Sequence, residues 1–452
     1  MTQTLAQLVI EGQHRRSTTP RGSLGSGFAT DRDPLEILGA QNANRLQSLV
    51  PLRWGRMSAS PFTFYRGAAA LMAHDLAPTP TSGITVQACG DAHLSNFGLY
   101  ASPERALVFD LNDFDETLPA PWEWDVERLV ASAAIAALHR GHSEAEAHEV
   151  ALTAANGYRA AIRRFSTLSA REIFDYVITV DYIDQRVKAT STDKAQRKAR
   201  AQELERVARK ARSRTAGTAA AKLTKQIHGE THLIDQPPVM QRLASDQLPS
   251  DAARVPELYL DSLPLKMRML LSRYRPVDYA LRVVGVGSVG TRCFISLVVD
   301  ATDDPLILQI KEATSSVLAP YAQPSEFANQ GERVVTGQRI MQVVSDPFLG
   351  WAEAEGHHFY VRQFRDMKGS FDLDRFSYDM LWGYARLCGA VLARAHAQSC
   401  EPGLIAGYLG KSATTDRAFA DFAMAYAAQN ERDHAVLVEA IRSGRIEAQT
   451  DV

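Results

Sequence analysis

The sequence predicts an α+β fold with two lobes, a small antiparallel β lobe and a larger, largely helical lobe. Between Tyr279 and Lys311 the chain has three consecutive strand-like runs separated by short turns, which is typical of an antiparallel meander. The runs are Ala280–Val286, Thr291–Asp300 and Leu306–Lys311, and a helix is expected to follow at Gly331–Gln342. On both sides of this stretch apolar residues recur at helical spacing, between Trp124 and Arg164 and again from Tyr378 onward. A chain of 452 residues is long enough for such a two-lobed protein.

This pattern divides the chain into four segments. Residues 1–32 are rich in Gly, Ser, Thr and Arg, and we expect an extended or poorly ordered arm. Residues 33–265 form the large lobe, residues 266–368 the small β lobe, and residues 369–452 are helices that return to the large lobe.

The composition excludes several classes of protein. Hydrophobic residues make up 45% and charged residues 23% of the chain, and the net charge of -2 argues against general binding of nucleic acid or membranes. The sequence begins without a run of signal-peptide length and contains no apolar run of about eighteen residues, so we expect a soluble cytoplasmic protein. The four cysteines are far apart without a CxxC pair, which favours reduced structural thiols.

The large lobe begins with helical patterns and continues with short strands. Pro34–Leu52 and Pro61–Leu76 have helical spacing, and Pro61 suits a first helical turn. Ile84–Cys89 and Ala106–Leu111 are strand-like, and an amphipathic helix begins near Trp124.

Two groups of basic residues have open interpretations. Arg53 and Arg56, between the first two helices, either face an anion or are solvated. Residues 186–225 contain thirteen Lys or Arg against three Asp or Glu. This segment is either a basic surface for a phosphate-bearing partner or a solvated helical face, and because it lacks aromatic residues nucleic acid is an unlikely partner.

Acidic and amide side chains concentrate between Gly90 and Glu116. The stretch contains four Asp, one His and two Asn around two apolar runs. Asp91, His93 and Asn96 fall on a tight loop after a strand, and the segment DLNDFDE follows the next strand. This arrangement predicts that metal ligands and a general base meet at one sheet edge.

A glycine-rich turn and a lysine supply a second candidate site. Gly285, Gly287 and Gly290 form G-x-G-x-x-G around Ser288, and the chain continues as a strand, so a hairpin loop over phosphates is favoured over a dinucleotide-binding turn. Lys311, twenty-one residues after Gly290, ends the third strand, where an ammonium can reach the phosphates of ATP. The alternative is a structural hairpin with a surface lysine.

The loop GDAHLSN resembles the GDxHxxN loop of aminoglycoside and choline kinases. The resemblance implies that Asp91 deprotonates an acceptor hydroxyl and that Asn96 binds magnesium, with ATP as phosphoryl donor. It also implies a second metal ligand from the acidic segment. Asp113, which heads a DFD triplet, is the first candidate, Asp110 is its rival, and Asp115 is a further oxygen donor.

The kinase resemblance leaves the lysine partner open and requires a circular permutation. Glu332 and Glu326 are the candidates to pair with Lys311. The Asp91 loop precedes the glycine-rich turn, which reverses the order found in kinases, and the helix LCGAVLARAHA resembles the one that normally leads into the catalytic loop. Asp125 resembles the aspartate that supports this loop in aminoglycoside phosphotransferases; a helix N-terminal role is its alternative.

Several long blocks identify the chain as a member of the uncharacterised bacterial family DUF2252. They are RMSASPFTFYRGAAALMAHDL, CGDAHLSNFG, FDLNDFDETLPAPWEWDVERLVAS, VVGVGSVGTRCF, LQIKEA and YVRQFRDMKGS. The family name implies no activity, so the predicted function, an ATP- and magnesium-dependent phosphotransferase, rests on the residues.

Two other functions compete with the phosphotransferase. GDAH also resembles the GDxH motif of calcineurin-like metal-dependent phosphoesterases, although the companion DxH and GNH motifs are missing. A non-catalytic pseudokinase or scaffold that binds nucleotide and acts through the basic segment is the second alternative. The sequence leaves the acceptor, the oligomeric state and the pathway undetermined.

Overall fold

A computed structural model of the chain describes residues 3–190, 194–227, 230–243, 249–283, 285–364 and 367–450. Among the predicted features, residues 191–193 of the basic segment, Val284 of the first predicted hairpin strand, and residues 365–366 of the last family block lie outside this range. The helices of the described residues are, in chain order, α1 (Leu5–His14), α2 (Pro34–Asn42), α3 (Val50–Ser58), α4 (Pro61–Gly67), α5 (Ala69–Leu76), α6 (Trp122–His139), α7 (Glu144–Phe165), α8 (Ala170–Phe174), α9 (Val180–Thr190), α10 (Lys194–Arg212), α11 (Ala216–Leu223), α12 (Ser250–Leu258), α13 (Leu265–Leu271), α14 (Gln330–Met341), α15 (Tyr378–His396), α16 (Pro402–Leu409) and α17 (Thr414–Arg442).

The strands of the same residues form antiparallel sheets. They are β1 (Thr85–Ala88), β2 (Phe97–Ala101), β3 (Leu107–Leu111), β4 (Leu118–Pro121), β5 (Thr224–Ile227), β6 (Glu230–Leu233), β7 (Met240–Leu243), β8 (Arg275–Arg282), β9 (Cys293–Val299), β10 (Pro305–Glu312), β11 (Gly350–Ala354), β12 (His357–Gln363) and β13 (Gly369–Ser370). The largest sheet has six strands in the order β11-β12-β10-β9-β8-β7, and a three-stranded sheet has the order β13-β2-β3. The chain is therefore of mixed α+β class, as predicted.

The six-stranded sheet contains the predicted meander. Strands β8, β9 and β10 are neighbours and pair antiparallel in chain order. The register places Lys311 on β10 between Cys293 of β9 and Tyr360 of β12. Helix α14 follows β10 as predicted and packs on β11 and β12. An apolar cluster that includes Phe294, Ile310 and Phe359 holds this sheet on helices α12 and α13.

The helical body forms around α6, α7, α15 and α17, which pack on one another. Residues that are far apart in sequence share its core, since Trp122 at the start of α6 stacks on Tyr158 of α7 and contacts Phe419 of α17. The two-stranded sheet β1-β4 and the three-stranded sheet β13-β2-β3 lie against this body. They position the loop 89–96 and the acidic segment 110–116.

The expectation of an extended N-terminal arm was wrong for Leu5–His14, which is helix α1. Thr4 and Gln7 form a capping box at its start. The helix docks on α16 at a crossing so close that a Cβ on Gly12 would lie 2.1 Å from the Leu404 carbonyl oxygen. Because the contact lies almost four hundred residues away in sequence, local periodicity gave no signal for it.

Other boundaries differ in detail. The predicted helix Pro34–Leu52 is divided between α2 and α3, and Pro61–Leu76 is divided at Ala68 into α4 and α5. The first meander strand ends at Arg282 rather than Val286, because the glycine-rich segment forms a longer turn. The basic segment is mostly helical, in α9, α10 and α11. No helix of the described residues is both long and apolar enough to cross a membrane.

Candidate functional site

A polar cleft separates the six-stranded sheet from the helical body. It consists of a large cavity of about 690 Å³, whose wall includes Lys311 and Arg362, and a small cavity of about 300 Å³, whose wall includes Asp91 and Arg66. The two cavities meet at the residues that line both, which are Ser95, Asn96, Asp113, Gly285 and Ser288. The acidic stretch and the glycine-rich turn, nearly two hundred residues apart, thus meet at one place.

The backbone of the Asp91 loop is fixed by a glycine and a buried carboxylate. Gly90 has a φ of +78°, and a Cβ there would lie 2.5 Å from the Glu116 carbonyl oxygen, so this position requires glycine. The Asp125 carboxylate accepts hydrogen bonds from the Cys89 and Gly90 N–H groups at 2.6 and 2.9 Å. The expected contact between Asp125 and this loop is therefore present.

Asp91 is held by an arginine that the sequence analysis missed. Arg128 Nε donates to Asp91 Oδ1 at 2.9 Å, and the guanidinium lies 3.8 Å from the centroid of the Tyr65 ring. Asp91 keeps 23% of its side chain exposed and lines the small cavity. The carboxylate is thus oriented by a fixed charge and remains accessible to a molecule in that cavity.

His93 is a neutral neighbour of Asp91. Its Nε2 lies 3.6 Å from Asp91 Oδ2, and its buried Nδ1 has no hydrogen-bond partner among the described residues. Burial lowers the pKa of His93 to about 4, although Asp91 opposes the shift. The imidazole is therefore uncharged at neutral pH.

Asn96 joins the Asp91 loop to the acidic segment. Its amide nitrogen donates to the backbone oxygen of Asp91 at 3.0 Å and to that of Asp113 at 3.1 Å. Because the nitrogen is used in this way, the carbonyl oxygen Oδ1 is the atom that remains for a cation or a ligand. The predicted proximity of Asn96 and Asp113 is present in the structure.

Asp113 is a charged carboxylate at the junction of the cavities. Burial raises its pKa, but the positive charges of Lys311, Arg362 and Lys368 outweigh burial, so the pKa lies below its ordinary value. The Asp113 side chain accepts a long hydrogen bond of 3.4 Å from the Asp115 N–H. Asp113 therefore presents an ionised oxygen donor to the cleft.

Lys311 faces this segment from β10. Its ammonium contacts the Asp115 carboxylate and lies 3.0 Å from Ser288 Oγ, and 2% of its side chain is exposed. Burial lowers the pKa of Lys311, but Asp113 and Asp115 raise it more, so the pKa lies well above its ordinary value. The Tyr360 hydroxyl donates to the other Asp115 oxygen at 2.8 Å.

The partner of Lys311 is Asp115, not Glu332. The Glu332 N–H is bonded to Asn329 at the start of α14, and Glu326 is exposed before that helix. Successive helical side chains point about 100° apart, and the next residue, Arg333, takes the inward position. Arg333 donates to the backbone oxygens of Asp115 and Thr117, at 2.9 and 2.6 Å.

Asp110 lies apart from the cleft. It is buried, contacts Arg394 of α15, and lines neither cavity. Burial raises the pKa of Asp110, and Arg394 opposes the shift. Because side chains alternate between the two faces of a strand, the structure directs this residue of β3 into the core. Of the two rival candidates for a metal ligand, Asp113 is the one that lines the cavities.

The glycine-rich turn covers the cleft and is held by the N-terminal helices. The Arg45 side chain donates to Val289 O at 2.5 Å, and Arg56 donates to Gly285 O at 2.7 Å. Leu46 N donates to Gly290 O at 2.8 Å, and Gly287 lines the small cavity. Arg56 therefore holds a backbone carbonyl, whereas Arg53 is fully buried and donates to Gly67 O at 2.9 Å, so neither faces an anion.

The described residues contain no group of three or more His, Cys, Asp or Glu side chains that could hold a metal ion on their own. What they offer is one ionised carboxylate, Asp113, beside one amide oxygen, on Asn96. Magnesium is commonly bound by one or two such groups together with water and substrate phosphates. The donor set fits a cation that arrives with a phosphate ligand.

Residues from distant segments complete the site, and their roles could not be recognised from local patterns in the sequence. Arg66, Arg128, Arg362 and Lys368 supply its additional positive charges. Arg66 and Arg128 lie inside quoted family blocks, but their roles depend on packing between helices. Among the described residues of the basic segment, Arg214 is the one that lines the large cavity.

The fold and the cleft define an α+β protein with a lysine–carboxylate site between a glycine-rich hairpin and a helical body. The chain belongs to the family described as uncharacterized protein conserved in bacteria, DUF2252, whose model matches residues 45–440. Comparison with curated proteins and with solved structures gave no match.

Proposed function

We propose that this protein is an ATP- and magnesium-dependent phosphotransferase of kinase-like, circularly permuted architecture that acts on a hydroxyl acceptor. The observation that carries the proposal is the position of Lys311, which faces Asp113 and Asp115 beneath the glycine-rich turn. In kinases a lysine of the third strand reaches the phosphates, and the metal-binding aspartate lies opposite. Chance proximity of all these groups, drawn from both halves of the chain, is improbable.

The chain connections support the permutation. Helix α15 ends at His396, whose Nε2 lies 3.1 Å from Asp125, the residue that holds the Asp91 loop. Ser399, just after the helix, accepts a hydrogen bond of 2.8 Å from the Gln87 N–H of β1. The end of α15 thus abuts the strand that enters the loop. A single peptide connection at this point would restore the order in which a helix leads into the catalytic loop.

In such an enzyme the two cavities would bind different substrates. The large cavity, with Lys311, Ser288 and Arg362 on its wall, offers positive charge and hydroxyl groups for a nucleotide triphosphate. Asp113 and the Asn96 oxygen would hold magnesium, which neutralises phosphate charge during transfer. The small cavity beside Asp91 is left for the acceptor.

In this mechanism Asp91 orients the acceptor hydroxyl and accepts its proton. The acceptor oxygen forms a bond to the γ-phosphorus, the bond from that phosphorus to the β–γ bridging oxygen breaks, and ADP leaves. Arg128 holds the Asp91 carboxylate through Oδ1, so Oδ2, which lies 3.6 Å from His93 Nε2, is the oxygen that accepts the proton. Lys311 remains protonated and keeps its charge on the phosphates.

A thermal-shift titration with ATP and magnesium tests the proposal. ATP with magnesium should raise the melting temperature of the wild type, and Lys311→Ala should abolish the shift, because ligand binding stabilises the folded state. Lys266→Ala, at an exposed position on α13, is the matched control and should keep the shift. Asp91→Asn should keep ATP binding and lose turnover.

The same titration separates the alternatives. Stabilisation by manganese alone, without any effect of ATP, would favour the phosphoesterase. ATP binding with equal, negligible turnover in the wild type and Asp91→Asn would favour the pseudokinase. The described residues on the two cavity walls include one imidazole, that of the neutral His93, so they give the phosphoesterase no structural support.

A further inference from the structure

The small cavity contains an arginine without a partner. Arg66, near the end of α4, lines this cavity, and its buried Nε lacks a hydrogen-bond partner. In the part of the chain that the structure describes, its guanidinium forms neither a hydrogen bond nor an ion pair. Burial lowers the pKa of Arg66, and the Asp91 carboxylate opposes the shift. A guanidinium remains charged at neutral pH nonetheless, so a poorly hydrated cation faces the cavity.

The carboxylates around Arg66 are engaged elsewhere or close to neutral. Burial raises the pKa of Glu116 to about 7, and its Oε2 accepts the Val317 N–H at 2.7 Å. The other acidic groups on the wall have cations of their own, and these pairs are Asp91 with Arg128, Asp113 and Asp115 with Lys311, and Glu312 with Arg292. Among the described residues, these carboxylates leave Arg66 without an ion-pair partner on this wall.

A second guanidinium lies on the same wall. Arg45 donates from Nη1 to the Val289 carbonyl, while its Nε is buried and makes no hydrogen bond to the described residues. Burial lowers the pKa of Arg45 as well. Two arginines with unused N–H donors form a site for an anion, because a guanidinium binds carboxylate and phosphate groups through paired N–H donors.

We propose that the acceptor is a small anionic molecule, held through a phosphate or carboxylate group by Arg66 with Arg45 beside it. The anion would balance the charge of Arg66 and direct a hydroxyl of the same molecule toward Asp91. This inference rests on the proposed phosphotransferase function, since it concerns the acceptor of that reaction. It adds the charge and the size of the substrate.

The size follows from the way the cavity is enclosed. Val286 of the glycine-rich turn is buried in an apolar cluster with Leu38 and Trp54 of the N-terminal helices. The hydrogen bonds from Arg56 and Leu46 hold the same turn. A cavity of about 300 Å³ closed on this side accommodates a metabolite-sized ligand, whereas a folded protein would need the turn to lift away.

Calorimetric titration of the full chain without nucleotide tests the inference with matched probes. Glycerol 3-phosphate and glycerate carry an anionic group and hydroxyls, and glycerol carries the hydroxyls alone. We expect at least one of the two anions to bind and glycerol not to bind. Arg66→Gln should weaken binding at least tenfold, Arg66→Lys should recover part of it, and Arg445→Gln, at an exposed position, should have no effect.

Three results would overturn the inference. They are binding of glycerol as tight as that of the anions, absence of binding by both anions, and anion binding that Arg66→Gln leaves unchanged. A fourth arm measures ATP. If Arg66→Gln weakens ATP binding tenfold and spares the anions, Arg66 serves the nucleotide and the acceptor role is wrong.

The ATP arm also separates this inference from the proposed function. If the wild type binds ATP with magnesium but neither anion, the phosphotransferase stands and the anionic acceptor fails. If anions bind through Arg66 while ATP has no effect on the wild type, the proposed phosphotransferase function is wrong. The site then binds anions, but not as acceptors of that reaction.

Discussion

Replacing Lys311 by methionine removes the charge that faces Asp113 and Asp115 while keeping most of the apolar length of the side chain. The Lys311 side chain is 2% exposed and that of Asp115 25%. Removal of one partner from a buried pair costs about 3–5 kcal/mol, because the other charge is left uncompensated. Asp115 keeps some contact with water and the Tyr360 hydroxyl, so we expect the lower end, about 3 kcal/mol of unfolding free energy.

The loss of unfolding free energy in Lys311→Met should depend on pH. Among the charges that lower the pKa of Asp113, Lys311 has the largest effect, so its removal raises that pKa. A depressed carboxyl pKa stabilises the fold above the unfolded value of about 3.9, and this contribution is lost as pH falls through the folded pKa. The difference in stability between wild type and Lys311→Met is therefore greatest near pH 7 and smaller near pH 3.

Urea unfolding followed by circular dichroism measures these free energies. In the double variant Lys311→Met/Asp115→Asn we expect recovery of at least half of the loss, because the uncompensated carboxylate is gone. The surface variant Lys266→Met should differ from wild type by less than about 0.5 kcal/mol. Equal unfolding midpoints for wild type and Lys311→Met, or no recovery in the double variant, would refute the buried charge pair.

Three further predictions concern residues around the cleft. Asp110→Asn should lower the unfolding free energy by roughly 3 kcal/mol, because Arg394 loses its carboxylate partner. Asp113→Asn should lower it by less, because what is lost is the attraction of the carboxylate to the nearby positive charges, and should abolish magnesium-dependent turnover; the reverse pattern would make Asp110 the metal ligand. Burial raises the pKa of Glu123 to about 7, so its ionisation destabilises the fold as pH rises from about 4.3 to 7. Glu123→Gln should therefore match wild type at pH 4 and exceed it by up to about 3 kcal/mol at pH 8 in urea unfolding, and an equal difference at both pH values would contradict this. Gly90→Ala should lower the unfolding free energy by more than about 3 kcal/mol, because a positive φ and the close approach of Glu116 both oppose a Cβ. The control Gly27→Ala, with a φ of +72° and open space around it, should lower it by only about 1 kcal/mol. Equal losses in the two variants would contradict the role of the Glu116 contact.

Local patterns in the sequence predicted the elements that deliver the site. The three strands of the meander, helix α14 and strand β1 occur close to their predicted positions, because each has a clear periodicity and turn residues at its ends. The spacing of Asp91 and Asn96 likewise reports a loop geometry that is local. The association of the Asp91 loop with Asp113 through the Asn96 amide was therefore within reach of sequence reasoning.

Side-chain contacts between segments that are distant in sequence could not be predicted from local patterns. The kinase resemblance makes Glu332 and Glu326 the candidates to pair with Lys311, but the inward position on α14 belongs to Arg333 and the carboxylate comes from Asp115. The choice depends on the rotation of a helix by one residue, which apolar spacing fixes only loosely. Arg66 is a second residue whose role could not be predicted. Its lack of a partner among the described residues depends on the packing around the small cavity and cannot be read from the sequence.

The order of the chain has a consequence for how the cleft closes. In this protein the segment before the Asp91 loop is free to form helices that pack on the glycine-rich turn, and Leu46 N and Arg56 bond directly to it. Arg66 follows on the next helix, α4, and faces the cavity below. A ligand that draws Arg66 inward therefore acts on the same helices that hold the glycine-rich turn over the cleft. If both ligands bind as proposed, the anion should tighten the binding of ATP, and by linkage ATP should tighten that of the anion by the same factor.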